Sequence, residues 1–254
     1  MSFRTVLDPI LLRDDPDVDA DLRRLLSSET GIAAFPEMWA LLAMGTLGKM
    51  HKENFDHSIR VAVAAPPRLR VRLIALCHDI GKAMTRKIEN GEVTFKFHED
   101  RGALLVAEAL PRLGYSTELV AQVSAAVGMS GRAARYSDSW TDASVRRLVR
   151  DADGFLDDLL DFVAVDCTSK HEHNRVRART QVAALRARIS EVESLDAERA
   201  RRPLLNGAEV MELLGVGPGP IVGEAVKLLL AERPATRAEA EALVHEMGEA
   251  SLAR

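Results

Sequence analysis

Along most of the chain, apolar residues recur at helical spacing, with polar residues between them. The densest case runs from Pro67 to Ile80, where Leu69, Val71, Leu73, Ile74 and Leu76 lead to Gly81, which suits a helix C-terminal stop. Residues 99–110 and 116–128 predict two further helices, separated by Pro111 and Gly114. Thr141-Asp142 predicts a helix start that runs on into the apolar stretch Phe155 to Val165, and residues 172–193 predict a long charged helix. Thr85 to Phe97 departs from the helical period. It contains Asn90-Gly91, a strong hairpin turn, followed by alternating Val93, Phe95 and Phe97, so a small β-hairpin is expected there.

The two ends read differently from the middle. Residues 1–24 gather Asp14, Asp15, Asp17, Asp19 and Asp21, and read as a solvated helix start or a mobile segment. Near the other end, Gly215, Gly217, Pro218, Gly219 and Pro220 form a rigid turn, with Pro220 suited to the first position of a helix. Thr236 and Glu239 fit a capping box for a last helix. The expected division is an acidic segment over 1–24, a main domain over 25–200 and a helical region over 201–254. The expected fold class is mostly α: a helical bundle with one small β-hairpin insertion and a C-terminal helical appendage.

Composition narrows the function. Of 254 residues, 47% are hydrophobic and only 4% aromatic, so aliphatic side chains must fill the core. A net charge of −4 argues against broad phosphate-neutralising contact with nucleic acid; any RNA must bind locally. Two cysteines, Cys77 and Cys167, imply no disulfide framework. With no basic-then-apolar leader and no apolar run approaching membrane-spanning length, the reading is cytoplasmic, with no membrane partner.

The informative chemistry is Ala75-Leu-Cys-His78-Asp79-Ile-Gly81-Lys82. An imidazole and a carboxylate side by side at the end of an apolar helix are unfavourable without a partner. A cation satisfies both, and the carbonyl end of a helix favours it. The nitrogen and oxygen donors suit Mn, Ni, Co, Fe, Zn or Mg without choosing among them. His57, in Phe55-Asp-His57-Ser, and Asp166, closing the apolar run Phe162 to Val165, are the other candidate ligands. Lys82, Lys96 and Arg101 are candidate phosphate contacts, each also readable as an ordinary surface or helix-end charge. His98 is a candidate proton donor, ligand or cap. His51 is a candidate support for His57, while His171, His173 and His245 read as surface residues.

These motifs resemble the HD superfamily of metal-dependent phosphohydrolases, whose signature is a His, a His-Asp dyad and a distant Asp. More narrowly, the chain is similar over about residues 25–250 to the HD and C-terminal helical half of bacterial CCA-adding tRNA nucleotidyltransferases. The segments that carry this are His51 to Ser58, the dyad with Gly81-Lys82, Trp140 to Arg147, Val165 to Thr168, and Leu205 to Leu214 with Pro218-Gly-Pro220 and Gly223. The resemblance implies one divalent metal ion held by His57, His78, Asp79 and Asp166, with Asp79, Lys82 and His98 in catalysis. It implies hydrolysis of a phosphomonoester or phosphodiester on a nucleotide or RNA end. The nucleotidyl-transfer head has no counterpart in these residues, so the chain alone is expected not to add nucleotides, and a separate nucleotidyltransferase partner is implied. Many relatives carry a His-rich segment where this chain reads Val127-Gly-Met-Ser130-Gly-Arg-Ala-Ala-Arg135-Tyr136, which points to a mononuclear site rather than diiron oxygenase chemistry. The alternative reading is a non-catalytic RNA- or tRNA-binding module or partner subunit.

Overall fold

A computed structural model describes residues 2–45, 54–90, 92–167, 171–200 and 202–252, so His51, Gly91 and Thr168 lie outside the described residues. The chain divides into two compact units, Met1–Ile189 and Ser190–Arg254. It is mostly helical, with one two-stranded sheet among the described residues. No helix among them is long and apolar enough to cross a membrane.

The first unit runs through α1 (Arg4–Leu11), α2 (Val18–Leu26), α3 (Glu29–Ala34), α4 (Pro36–Gly45), α5 (Asn54–Ala64), α6 (Leu69–Cys77) and α7 (Lys82–Thr85). The hairpin β1 (Lys87–Glu89) and β2 (Glu92–Thr94) follows, then α8 (His98–Arg112), α9 (Thr117–Ala134), α10 (Asp142–Asp151) and α11 (Leu156–Val165). The long helix α12 (Glu172–Ala200) begins in this unit.

The acidic N-terminal segment divides its residues by chemistry. Leu7, Leu11, Val18, Leu22 and Leu26 of α1 and α2 are buried. The aspartates between them meet arginines: Asp15 and Asp21 accept from Arg13 at 2.7 and 2.8 Å, and Asp19 accepts from Arg23 at 2.5 Å.

The core is organised around α6, which packs against α1, α5, α9 and α11. Every residue from Val71 to Cys77 is buried. That includes Arg72, whose guanidinium donates to the carbonyls of Ala65 at 3.0 Å and Leu11 at 3.2 Å, and also to that of Arg13. These are carbonyls at the ends of α1 and α5, where the helices leave acceptors unsatisfied.

The structure corrects three boundaries. α6 ends at Cys77, and Gly81 has φ −67° at the start of α7, so this glycine is not a left-handed stop. Thr141 caps α10 by accepting from the Ser144 amide, but the helix does not continue into Phe155: the chain turns through Gly154 at φ +78° before α11. A left-handed residue there ends one helix cheaply and re-aims the next. Pro111 does not end α8 but sits inside its last turn. The expected hairpin is present, pairing Lys87 with Thr94, Ile88 with Val93 and Glu89 with Glu92, with Asn90 at φ +53°.

The second unit contains α13 (Gly207–Leu214), α14 (Pro220–Glu232) and α15 (Arg237–Leu252) around Leu205, Val210, Ala225, Leu229, Ala240 and Val244. Asn206 and Glu209 form a capping box on α13, Gly215 closes it at φ +66°, and Pro220 opens α14. Thr236 accepts from the Glu239 amide at 3.2 Å, but the Glu239 carboxylate reaches the Ala235 amide rather than closing a box on Thr236.

Arg72→Met should destabilise the protein by about 2–4 kcal/mol, because buried carbonyls lose a charged donor that an apolar side chain cannot replace. Urea unfolding followed by circular dichroism measures this; a loss under about 0.5 kcal/mol would show that these hydrogen bonds contribute nothing net.

Candidate metal centre

Four separate helix ends converge in the first unit. His57 lies in the first turn of α5, His78 and Asp79 follow the last residue of α6, His98 begins α8, and Asp166 follows the last residue of α11. The C-termini of α6 and α11 direct their partial negative charge here, as a cation requires.

Because α6 is buried, its dyad is buried too: His78 is 5% exposed and Asp79 1%. His57 is 12% exposed and Asp166, at the mouth, 33%. His57, His78 and Asp79 each offer a donor atom within 4.8 Å of the others. Asp166 Oδ1 stands 3.1 Å from His57 Nε2 and 3.2 Å from His78 Nε2. Asp79 completes the arrangement, with Oδ1 3.4 Å from His78 Nε2 and Oδ2 4.0 Å from His57 Nε2.

Hydrogen bonds outside the cluster orient its rings. His78 Nδ1 lies 2.7 Å from the Ala75 carbonyl, which can only accept, so Nδ1 carries the proton and Nε2 is left facing the carboxylates. The Phe162 ring packs on His78 at 5.1 Å between centroids. His98 is held in the same way, Nδ1 2.9 Å from the Phe95 carbonyl, with Nε2 3.8 Å from Asp79 Oδ1. Glu99, which the sequence did not single out, adds a carboxylate 3.2 Å from His98 Nδ1. Lys82 donates to Asp79 Oδ2 at 2.7 Å, and its ammonium lies 5.7 Å from the centre of the Phe95 ring.

The other sequence candidates lie elsewhere. Lys96 pairs with Glu89 at 2.6 Å, and Arg101 places Nε and Nη2 each 3.4 Å from Met84 Sδ. His171, His173 and His245 are exposed. Ser130, in the segment without histidine, turns its hydroxyl to the Val127 carbonyl at 2.8 Å. Burial pushes the Cys77 thiol pKa up, so it is an unreactive core residue.

The need for Gly81 is packing. A Cβ there would lie 2.1 Å from the His98 carbonyl oxygen and 2.6 Å from the Gly102 nitrogen. The turn after the dyad and the first turn of α8 therefore touch backbone to backbone, which sets His98 against Asp79.

The electrostatics fit a cation. Burial favours neutral His78, but Asp79 and Asp166 outweigh it and raise its pKa to about 10. Burial likewise opposes ionisation of Asp79 and Asp166, and the neighbouring imidazoles, with Lys82 beside Asp79, overcome it and hold both well below the usual carboxylate range. Two imidazole nitrogens and two carboxylates are a mixed donor set suited to a divalent transition metal or Mg²⁺. Without a metal, the proton on His78 and the Lys82 ammonium balance Asp79 and Asp166.

The HD domain family matches residues 44–155, a span that holds His57, His78, Asp79 and His98. The chain is 32% identical over 224 residues to a CC-adding tRNA nucleotidyltransferase of Thermus thermophilus, covering 82% of this chain and 48% of that protein. It is 30% identical over 215 residues to an A-adding tRNA nucleotidyltransferase of Deinococcus radiodurans, covering 80% of this chain and 48% of that protein. Residues 44–155 thus resemble an HD domain, within a longer region similar to tRNA nucleotidyltransferases. It spans about half the length of the curated relatives it matches.

Metal binding should release close to one proton near neutral pH, because His78 must lose the proton it holds in the metal-free site. Below the raised His78 pKa, apparent affinity should climb with pH by up to about tenfold per unit and fall as pH drops. Titration calorimetry with Mn²⁺ or Zn²⁺ in buffers of different ionisation enthalpy measures the proton count; no pH dependence would show that His78 is not a ligand.

Proposed function

We propose that the chain is a metal-dependent phosphohydrolase acting on a nucleotide or RNA-end phosphate, as a phosphomonoesterase or phosphodiesterase. The observation that carries this reading is the convergence of His57, His78, Asp79 and Asp166 from separate helix ends on one partly open site. These four residues would hold one divalent ion. When bound, such an ion supplies Lewis acidity toward a phosphoryl oxygen and lowers the pKa of water.

The protein's own groups have separable tasks. Asp79 uses one oxygen toward the imidazoles and the other toward Lys82, so it is oriented as well as charged. Lys82 holds Asp79 ionised and places a cation where a phosphate oxygen would approach. His98 holds its Nδ1 proton on the Phe95 carbonyl and presents Nε2 to the site, where in its charged form it would donate a proton to a leaving oxygen. Lys96 and Arg101, on the hairpin and α8, would meet parts of the substrate farther from the reacting phosphate. The relatives' action on tRNA supports an RNA end as the substrate class.

A non-catalytic tRNA-binding role is the second reading, favoured by the same relatives and opposed by the net charge of −4. Phosphate release from a panel of nucleoside monophosphates, 2′,3′-cyclic nucleotides and short RNAs, each with several divalent ions, tests the first. Asp79→Ala should abolish hydrolysis while leaving the helical circular dichroism in place. A folded Asp79→Ala protein at the wild-type rate would defeat the catalytic reading. Lys82→Met should lower kcat by roughly tenfold to a thousandfold, the usual effect of losing one positioned electrostatic contact. An unchanged rate would confine Lys82 to steadying a helix start.

A further inference from the structure

Beside the metal centre, the hairpin and the first turns of α8 enclose a groove of about 570 Å³. Its walls include Met84, Lys87, Lys96, Phe97, Arg101 and Leu104. Four features of this groove lack a structural explanation. Among the described residues Phe97 is the most exposed large apolar side chain, with 74% of its surface open, and Met84 and Leu104 are more than half exposed. Phe97 adopts φ +63°, a left-handed conformation that a bulky aromatic residue rarely holds and that glycine would take without strain. Among the described residues, Lys87 and Arg101 have no carboxylate at ion-pair distance; Arg101 instead lies along the Met84 sulfur. Finally, the groove adjoins the reacting centre directly, because Phe97 is followed by His98, whose Nε2 is 3.8 Å from Asp79.

The left-handed turn at Phe97 is what separates the two neighbours. It sends the His98 imidazole inward to the dyad and leaves the phenyl ring out on the groove wall. A flat exposed ring with cations beside it matches a nucleoside phosphate: the base stacks on the ring and the phosphate meets the cations. Of the two acids that line the groove, Glu89 is neutralised by Lys96, leaving Asp100 as the acid without a cation at ion-pair distance. The volume lies in the range of small-molecule sites.

We propose that Phe97 is a base-stacking platform and Arg101 a phosphate contact, so that the groove holds one nucleotide of the substrate next to the metal centre. This rests on the phosphohydrolase reading and specifies what that site recognises: a nucleobase, and not a phosphate ester alone.

The test is binding, independent of turnover. Titration calorimetry on the metal-free protein, which lacks the ion that turnover requires, compares 5′-AMP, ribose 5-phosphate and inorganic phosphate. The wild type should bind 5′-AMP at least about tenfold more tightly than ribose 5-phosphate, within the usual worth of one base–aromatic stack. Phe97→Gly should erase this preference while its thermal unfolding temperature stays equal or rises, since glycine suits the backbone there. Phe97→Tyr should retain the preference, and Arg101→Gln should weaken 5′-AMP and ribose 5-phosphate alike. Equal affinities in the wild type, absence of binding by any of the three, or a base preference that survives Phe97→Gly would overturn the proposal. So would self-association of the wild type that Phe97→Gly abolishes, since the groove would then be a contact between copies. A protein that keeps the Phe97-dependent base preference but releases no phosphate with any metal would defeat the hydrolase reading and leave the nucleotide site standing.

Discussion

Helix α6 is surrounded by protein, and everything at its ends must be reconciled with that. A helix buried on every side carries its terminal residues into the interior, and here they are an imidazole and a carboxylate. An isolated buried carboxylate is too unfavourable to persist. Asp79 is therefore met by Lys82 from the next turn, and its neighbour His78 by Asp166 from α11 and a carbonyl from its own helix. The same constraint acts at the beginning of α6, where buried Arg72 gathers carbonyls from the segments ending α1 and α5. One helix thus organises two polar sites. The first is closed, with its donors used up on backbone oxygens. The second stays partly open at Asp166.

The difference between them is what gives the second site a chemistry. Arg72 keeps its proton, so its network has one state. The His78 cluster would have two, because a proton balances Asp79 and Asp166 in the empty site and the proposed metal ion would take its place. Folding and metal loading would be coupled through that exchange. Sub-stoichiometric metal should leave two protein populations that differ at this one cluster while sharing the core around it.

Much of this was legible in the sequence, and the parts that were not have identifiable causes. Asn90-Gly91 marked the hairpin because its backbone requirement is local. The dyad stood out because a His-Asp pair closing an apolar helix conflicts with burial. His57 and Asp166 matched a recurring pattern, yet only packing brings them within 3.1 Å of each other. Gly81 was correctly singled out and wrongly explained, since the contact that requires it, the His98 backbone, is distant in sequence. The break at Gly154 did have a signal, Asp153-Gly154, which the apolar stretch from Phe155 onward outweighed. The left-handed Phe97 had no signal at all, because nothing about an aromatic residue predicts that conformation. Lys96 and Arg101 could be placed near the hairpin, but not their partners, because Glu89 and Met84 are reached only after the strands fold back.

The backbone contact of Gly81 with His98 and Gly102 has a consequence for how this protein can vary. It fastens together the two points where the chain leaves the dyad and returns to it. The excursion between them, α7 and the hairpin, is a closed loop whose base is set by main-chain atoms and does not depend on the loop's own side chains. Beyond Lys82 and short of Phe95, which hold Asp79 and His98, such a loop can be lengthened, shortened or replaced while His98 remains opposite Asp79. The groove walls that the hairpin supplies can then change without rebuilding the cluster, much as an instrument takes interchangeable heads on one mount. The glycine at the mount is the position with least freedom.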